Sequence, residues 1–287
     1  MPTMILSAGL GTRLAPLSTW RAKALVPVGD RPAIAHILER VLPLGDRIVA
    51  NAHHRAGDLE GYLGEHAADV RVSHEERLLG TAGGVAHAAA ELGEGDVLVH
   101  NGDILASFDL AALVAHHRTD ATLAIEPGPP GTGNVGVDAE GRITRLRKES
   151  VRGGEVQGGY FSGIQILGAG LREGLPQQGC LVGDVYLPAL RRGATLEAFV
   201  IDGFSDIGSV ASYVEANRAW LRQRGLAAWR APDARVGAGV RMSASLVGSG
   251  AEVAGEGLCD GCIVWPGARV DVPLRNAIVA PEGVHAF

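Results

Sequence analysis

Lysine is nearly absent: Lys23 and Lys148 are the only two among 26 basic residues, the rest being arginine. A reaction that needs a compact, strongly hydrated ammonium therefore has two candidates. Cysteine is equally sparse. Cys180, Cys259 and Cys262 make an odd set in 287 residues, which is not the framework of a disulfide-stapled secreted domain. Cys259 and Cys262 form a CxxC, but zinc needs two more ligands and none lies close in sequence, so small buried side chains are expected there. Surplus positive charge is missing too. The formal charge of −6 argues against a non-specific nucleic-acid binder, whose affinity rests on Lys and Arg facing phosphates. Any phosphate site must be local. No run nears the ~20 apolar residues of a membrane-spanning helix, and MPTMILSAGLGTR has no basic stretch ahead of its short apolar run. A soluble, cytoplasmic protein is expected, with neither a membrane nor a nucleic acid as partner.

What is present is an apolar fraction of 46% against 20% charged, enough for a large core in one large domain or a large and a small one. The first part alternates short β-rich runs with helical patterns, the signature of a mostly parallel sheet covered by helices. Strands are expected at residues 4–7, 47–51, 69–73 and 96–100, and helices at 32–42, 83–92 and 209–224. The strand at 96–100 runs into Asn101-Gly102-Asp103, which places Asp103 at a strand's C-terminal end, the edge where open α/β sheets bind ligands. Between about residues 121 and 168 the pattern changes to β-runs broken by Gly and Pro. From about Trp229 onward Val, Leu or Ile recurs every five or six residues with glycines between, the mark of stacked parallel β-coils; a Gly-rich β-meander is the other reading.

The stretch from Leu6 to Leu14, LSAGLGTRL, places Gly9, Gly11 and Arg13 directly after the first strand. Glycines there let backbone N–H groups curl around a phosphate chain, and Arg13 adds a permanently charged fork. Tight turns use the same glycines, so the motif alone leaves both roles open. No GK[ST] follows, which removes the Walker loop, and the departure from G-x-G-x-x-G disfavours a dinucleotide site. Lys23, ten residues beyond Arg13, can neutralise charge on the attacked or attacking phosphate, or lie solvated at the surface. Asp103 and Asp206 each neighbour a glycine or open a helix, so each fits a Mg²⁺ ligand and equally a turn or helix cap.

ILSAGLGTRLAPLS, AKALVPV, LLGTAGGV at 78–85, NGD at 101–103 and DIGS at 206–209 together resemble the sugar-1-phosphate nucleotidyltransferases, in order over about residues 1–220. The tail resembles the left-handed β-helix that many members carry. The resemblance implies a Rossmann-like α/β fold with a mixed, mostly parallel sheet and helices on both faces over residues 1–228, and a short left-handed β-helix over 229–287. It implies Arg13 and Lys23 as catalytic phosphate contacts. Nucleotide contacts are implied from Leu6, Ala8, Gly9, Gly11, Thr12, Gly80, Thr81, Gly83, Asn101 and Gly102. Asp103 and Asp206 are implied as the carboxylates holding Mg²⁺. For the sugar it implies Gly136, Ser162 and Gly163, together with Lys148 and Glu149, although this chain reads RKES where many members read Glu-Lys-Pro.

The implied reaction joins a nucleoside triphosphate to a sugar 1-phosphate and releases pyrophosphate, most similar to guanylyl transfer onto a mannose-type sugar. Uridylyl or thymidylyl transfer is the alternative, and a non-catalytic sensor subunit is a third reading that the full set of Arg13, Lys23, Asp103 and Asp206 speaks against. The ~60-residue tail gives about three coils of ~18 residues, short for an acyltransferase site and suited to a structural, homo-oligomerising role.

Overall fold

The computed structural model describes residues 1–45 and 47–287. It divides into two compact units, the first formed by residues 1–10 and 36–205, the second by residues 11–35 and 206–287.

In the first unit, β1 (Thr3–Leu6), β2 (Ile48–Ala52), β3 (Arg71–His74) and β4 (Val97–Asn101) pair in parallel in the order β4-β1-β2-β3. β1 and β2 are almost wholly buried, as short apolar runs covered on both faces must be. The sheet is mixed beyond this parallel centre. After β5 (Ala121–Gly128), β6 (Val135–Val137) and β7 (Ile143–Leu146), the long β8 (Gln157–Leu167) lies antiparallel to β4, β5 and β6. Met4, Val49, Val97, Val99, Leu123 and Tyr186 sit in one buried cluster, with Val85 and Ala88 packed against them. The strands and helices expected from the pattern fall within a few residues of their places, with one helix, Gly80–His87, starting earlier than its apolar periodicity indicated.

The second unit holds the chain's Gly-Thr-Arg segment, the long helix Val210–Gln223 and the tail. Ser209 caps that helix, accepting from the Ser212 N–H. In the tail, Trp229 pairs with Leu246, Leu246 with Ile263 and Ile263 with Ile278, all in parallel, while Arg235, Glu252 and Arg269 stack in a second ladder. Successive parallel steps of 17, 17 and 15 residues mean that each pass returns to the same edge, which a meander does not do. Only the last strand, Gly283–Ala286, turns back antiparallel. Val247, Val253, Val264 and Val279 fill the coil interior, with Cys259 and Cys262 buried and unbridged among them, as small apolar side chains.

The two units cut the chain differently from the boundary expected at residues 228 and 229. Residues 11–35 belong with the helix Val210–Gln223 and the tail because long-range contacts bind them there: the Tyr213 hydroxyl donates to the Pro27 carbonyl (2.7 Å), Gly29 N–H donates to Asn217 Oδ1 (2.9 Å), and Trp20 meets Trp265 edge to face. Among the described residues no helix is long and apolar enough to cross a membrane.

Candidate active site

In the second unit the Gly-Thr-Arg segment closes as a single 3₁₀ turn, Thr12–Leu14, entered through Gly11 in the left-handed region at φ 62°. Leu14 is buried and pins the turn, leaving Arg13 exposed. A second 3₁₀ turn, Lys23–Leu25, is held by buried Ala24 and Leu25. Asp206 and Gly208 follow from the other end of the unit's chain. A methyl group placed on Gly208 would lie 2.6 Å from Asp206 Oδ1, 3.0 Å from Arg13 Nη2 and 3.3 Å from Lys23 Nζ. The three side-chain ends thus converge on one small space that glycine alone leaves open. Gly208 N–H also donates to Asp206 Oδ1 (2.5 Å), which aims the carboxylate. Two cations and one carboxylate around a gap are suited to an anionic ligand carrying a divalent ion, since Mg²⁺ takes one or two carboxylates and fills its remaining positions with water and phosphate oxygens.

The first unit carries the other candidate residues. Asp103 follows β4 in the turn before strand Ile104–Ala106, half-buried, with Gly102 N–H donating to the Leu6 carbonyl (2.9 Å). The LLGTAGG segment begins a helix at Gly80, which has φ +75° and lies against the Gly179 carbonyl too closely for any side chain. Thr81 Oγ1 accepts from the Leu181 N–H (2.8 Å), and Ala82 N–H donates to Gly179 O (2.9 Å). These bonds lock the helix start to residues 179–181, where a π-helical turn, Leu181–Tyr186, opens. Gly83 packs on the backbone of Gln177 and Gln178. Ala8 is buried while Gly9 is exposed, so the turn after β1 presents its second half to solvent.

A profile for the nucleotidyl transferase family matches residues 2–223 of the chain. The chain belongs to that family. It is a nucleotidyltransferase, with the mixed α/β sheet of its structural neighbours. Mannose-1-phosphate guanylyltransferase of Mycobacterium tuberculosis is 27% identical over 93% of this chain and 80% of its own length. N-acetylmuramate alpha-1-phosphate uridylyltransferase of Caulobacter vibrioides is 36% identical over a shorter stretch, 49% of this chain and 66% of its own. Among solved structures, HddC from Yersinia pseudotuberculosis, crystallised with GMP-PN, superposes with a TM-score of 0.63 at 23% identity, covering 76% of this chain and 99% of its own.

The residues that the nucleotidyltransferase resemblance offered for the sugar divide sharply. Gly136 lies under the Glu155 carboxylate, which is itself held bidentately by Arg145 (2.9 and 3.0 Å) and by the Gly131 N–H (2.7 Å). Gly163 packs on the Asn101 side chain. Ser162 is 1% exposed, donates to Ala124 O (2.9 Å) and accepts from Ile164 N–H, so its hydroxyl is committed to the backbone. Glu149 is held by Arg191 through two contacts of 2.7 and 2.6 Å, and that guanidinium keeps its carboxyl below the usual range. Lys148 beside it is exposed.

Gly208 and Gly84 lie inside the DIGS and LLGTAGGV motifs, yet their role through close approach shows only in the fold, and the burial of Glu75 has no signal in the sequence. His100 lies on β4 and is fully buried. Burial lowers its imidazole from 6.5 to about 4, so it is neutral, donating Nδ1–H to Asn101 O (2.9 Å), while Nε2 finds no partner among the described residues. The unfolded chain takes up this proton near pH 6.5 and the folded chain refuses it until about pH 4. Stability contributed by the neutral ring is therefore full above pH 6.5, falls as pH drops towards 4, and stays low beneath. The total is on the order of 3 kcal/mol at ~1.4 kcal/mol per pH unit. Urea melts of wild type and His100→Leu from pH 7.5 to 3.5 should show a steeper decline in the wild type; parallel curves would refute it.

Proposed function

We propose that this nucleotidyltransferase transfers a guanylyl group from GTP to a mannose-type sugar 1-phosphate, releasing pyrophosphate. The observation that carries the reading is the convergence of Arg13, Lys23 and Asp206 on the space beside Gly208. The attacking sugar phosphate and the triphosphate are both anions, and they repel until their charge is neutralised. Arg13 suits bidentate binding of phosphate oxygens, and Lys23 places a compact charge where the bridging oxygens become more negative as the α-phosphorus is attacked. The attacking oxygen already bears a negative charge, so orientation and electrostatics suffice without a covalent enzyme intermediate.

Nucleotidyltransferases of this family use a divalent metal, and we assign Mg²⁺ to Asp206, which faces the open space, and to Asp103 on its NGD motif. When bound, such an ion supplies charge neutralisation on the phosphate oxygens. Leu6, Ala8, Gly9, Gly11, Thr12, Asn101 and Gly102 are proposed to line the nucleotide, with Gly80, Thr81 and Gly83 shaping the base loop through backbone geometry. For the sugar we propose Gly136, Ser162 and Gly163, together with Lys148 and Glu149, as the same resemblance implies. The left hand of the tail coils and self-association through them are carried over from the same resemblance, and a solution mass for the full chain tests the second; a cytoplasmic setting is proposed from the sequence reading.

A second reading is favoured by the higher local identity to the Caulobacter enzyme: uridylyl transfer to N-acetylmuramate 1-phosphate. Pyrophosphate release measured over four triphosphates and three sugar 1-phosphates separates them. GTP with mannose 1-phosphate is expected to be fastest and to stop with a chelator; UTP with N-acetylmuramate 1-phosphate in front installs the second reading. Asp103→Asn and Asp206→Asn should each lose on the order of a hundredfold or more in kcat, the scale of removing one group that stabilises transition-state charge. Silence across the whole panel with Mg²⁺ present would put the sensor reading ahead.

A further inference from the structure

Two buried polar side chains in the first unit have no place in the reaction described above. Asn51, at the end of β2, is 3% exposed, and Glu75, just after β3, is 5% exposed. β1 and β2 stay paired as far as Leu6 and Asn51. Beyond that point the chain leaves the ladder and the next N–H groups need other acceptors. Asn51 Oδ1 takes both: Ser7 N–H at 2.6 Å and Ala8 N–H at 3.3 Å. Asn51 Nδ2 then donates to Glu75 Oε1 (2.6 Å), and Glu75 Oε2 accepts from the Leu79 N–H (2.9 Å). Leu79 is the residue on which the Gly80–His87 helix starts.

The Glu75 backbone is fixed as well. Its N–H donates to Ala52 O, and its carbonyl contacts His53 Nδ1, both at 2.8 Å. The helix also comes in close to the pair: a methyl on Gly84 would lie 2.7 Å from Asn51 Nδ2 and 2.9 Å from Glu75 Oε1. A buried carboxylate and amide are costly to keep in a core unless their bonds are fully met. Here they are met by the backbones of two loops and by each other.

We propose that Asn51 and Glu75 are positioning residues that lock the phosphate turn after β1 to the LGTAGG loop, so that phosphate position and nucleobase choice are set by one buried link. The proposal rests on the nucleotidyltransferase reading of those two loops. Neither residue touches substrate. Each acts by holding backbone, so losing the link misplaces the triphosphate more than it weakens the chemistry of a triphosphate once seated.

The bonding pattern offers a direct test, because it can be reversed. Asn51→Asp sets two carboxylates against each other, and Glu75→Gln sets two NH₂ groups against each other or against the Leu79 N–H. In the double variant the carboxylate at position 51 accepts from Ser7, Ala8 and the new amide, while the amide oxygen at position 75 accepts from Leu79. Every bond is restored and the net charge is unchanged. Steady-state kinetics with each triphosphate at saturating sugar 1-phosphate should show each single variant with KM for the preferred triphosphate raised by about tenfold or more. The preference over the next triphosphate should shrink, and kcat should fall less than KM rises. The double variant should return to within about threefold of wild type.

Circular dichroism checks that each protein is folded. If a single variant does not fold, Gly84→Ala serves instead: it keeps all the bonding groups but presses on them, and it too should raise the triphosphate KM. Folded single variants with unchanged KM and unchanged triphosphate preference overturn the link, as does a folded double variant that remains impaired. An active wild type with these outcomes sinks the link alone, whereas a wild type inactive over the whole substrate panel sinks the reading it rests on.

Discussion

Lys23→Ala is expected to lower kcat by on the order of 10² to 10³, the loss seen when one group that stabilises developing charge is removed. Arg13→Ala should fall in the same range. The two cations reach the gap beside Gly208 from separate 3₁₀ turns of one unit, and Asp206 faces them across it. Neither is a spare for the other. Arg13 offers a planar fork that holds two oxygens at once, and Lys23 offers a point charge on a short reach, so Lys23→Arg is expected to recover little. The scarcity of lysine sharpens the point, because Lys148, the other ammonium in the chain, lies far along the sequence in the Arg-Lys-Glu-Ser stretch. Rapid-quench measurement of a single turnover with the preferred triphosphate and sugar 1-phosphate checks the effect on chemistry itself. A Lys23→Ala enzyme within threefold of wild type would remove Lys23 from the reaction.

Trp265→Ala should cost about 3–5 kcal/mol of stability, the range for deleting a large buried aromatic side chain. Trp265 is fully buried in the tail, yet its neighbours are far from it in sequence. Its Nε1–H donates to the Tyr213 hydroxyl (2.9 Å), which in turn donates to the Pro27 carbonyl (2.7 Å). Trp20 meets its ring edge to face at 6.0 Å, and the Arg21 guanidinium sits 5.4 Å above it. Trp20 and Arg21 lie between Arg13 and Lys23 in the chain. The coils therefore brace the segment that carries both cations, and truncation should lower kcat as well as the unfolding free energy. Trp265→Phe keeps most of the packing but loses the hydrogen bond to Tyr213, and should fall between the two. Chemical denaturation beside initial-rate assays reads both effects; a loss under 1 kcal/mol with full activity would show that the tail does not brace the segment.

How much was legible depended on the range of the interaction. The strands around residues 4, 48, 72 and 98 were readable because each is a short apolar run whose burial is written in its own residues, and Asp103 was placed correctly at the end of one. Gly11 and Arg13 were readable as a charged turn, and Lys23 as one of two lysines in the chain. Ser162 and Glu149 were harder to judge, since a serine in a strand and a carboxylate beside a lysine look available in sequence, while the fold commits one hydroxyl to Ala124 O and the other side chain to Arg191. The burial of Glu75 is not legible in the sequence, because a glutamate in a polar stretch is ordinarily solvated. Only the arrival of Asn51 and the Leu79 N–H makes its burial tolerable.

The sequence by itself determined an α/β domain with an arginine-bearing glycine turn and separated aspartates, because strand burial, turn geometry and charge are local properties of residue type and spacing; the nucleotidyltransferase chemistry was legible only through the resemblance of five ordered motifs to that family. Tertiary structure alone decided which of these residues meet. It joined residues 11–35 to the tail, emptied the space beside Gly208 and linked Asn51 to Glu75. Such meetings depend on distances between segments far apart in the chain, and no residue carries that distance in its own chemistry.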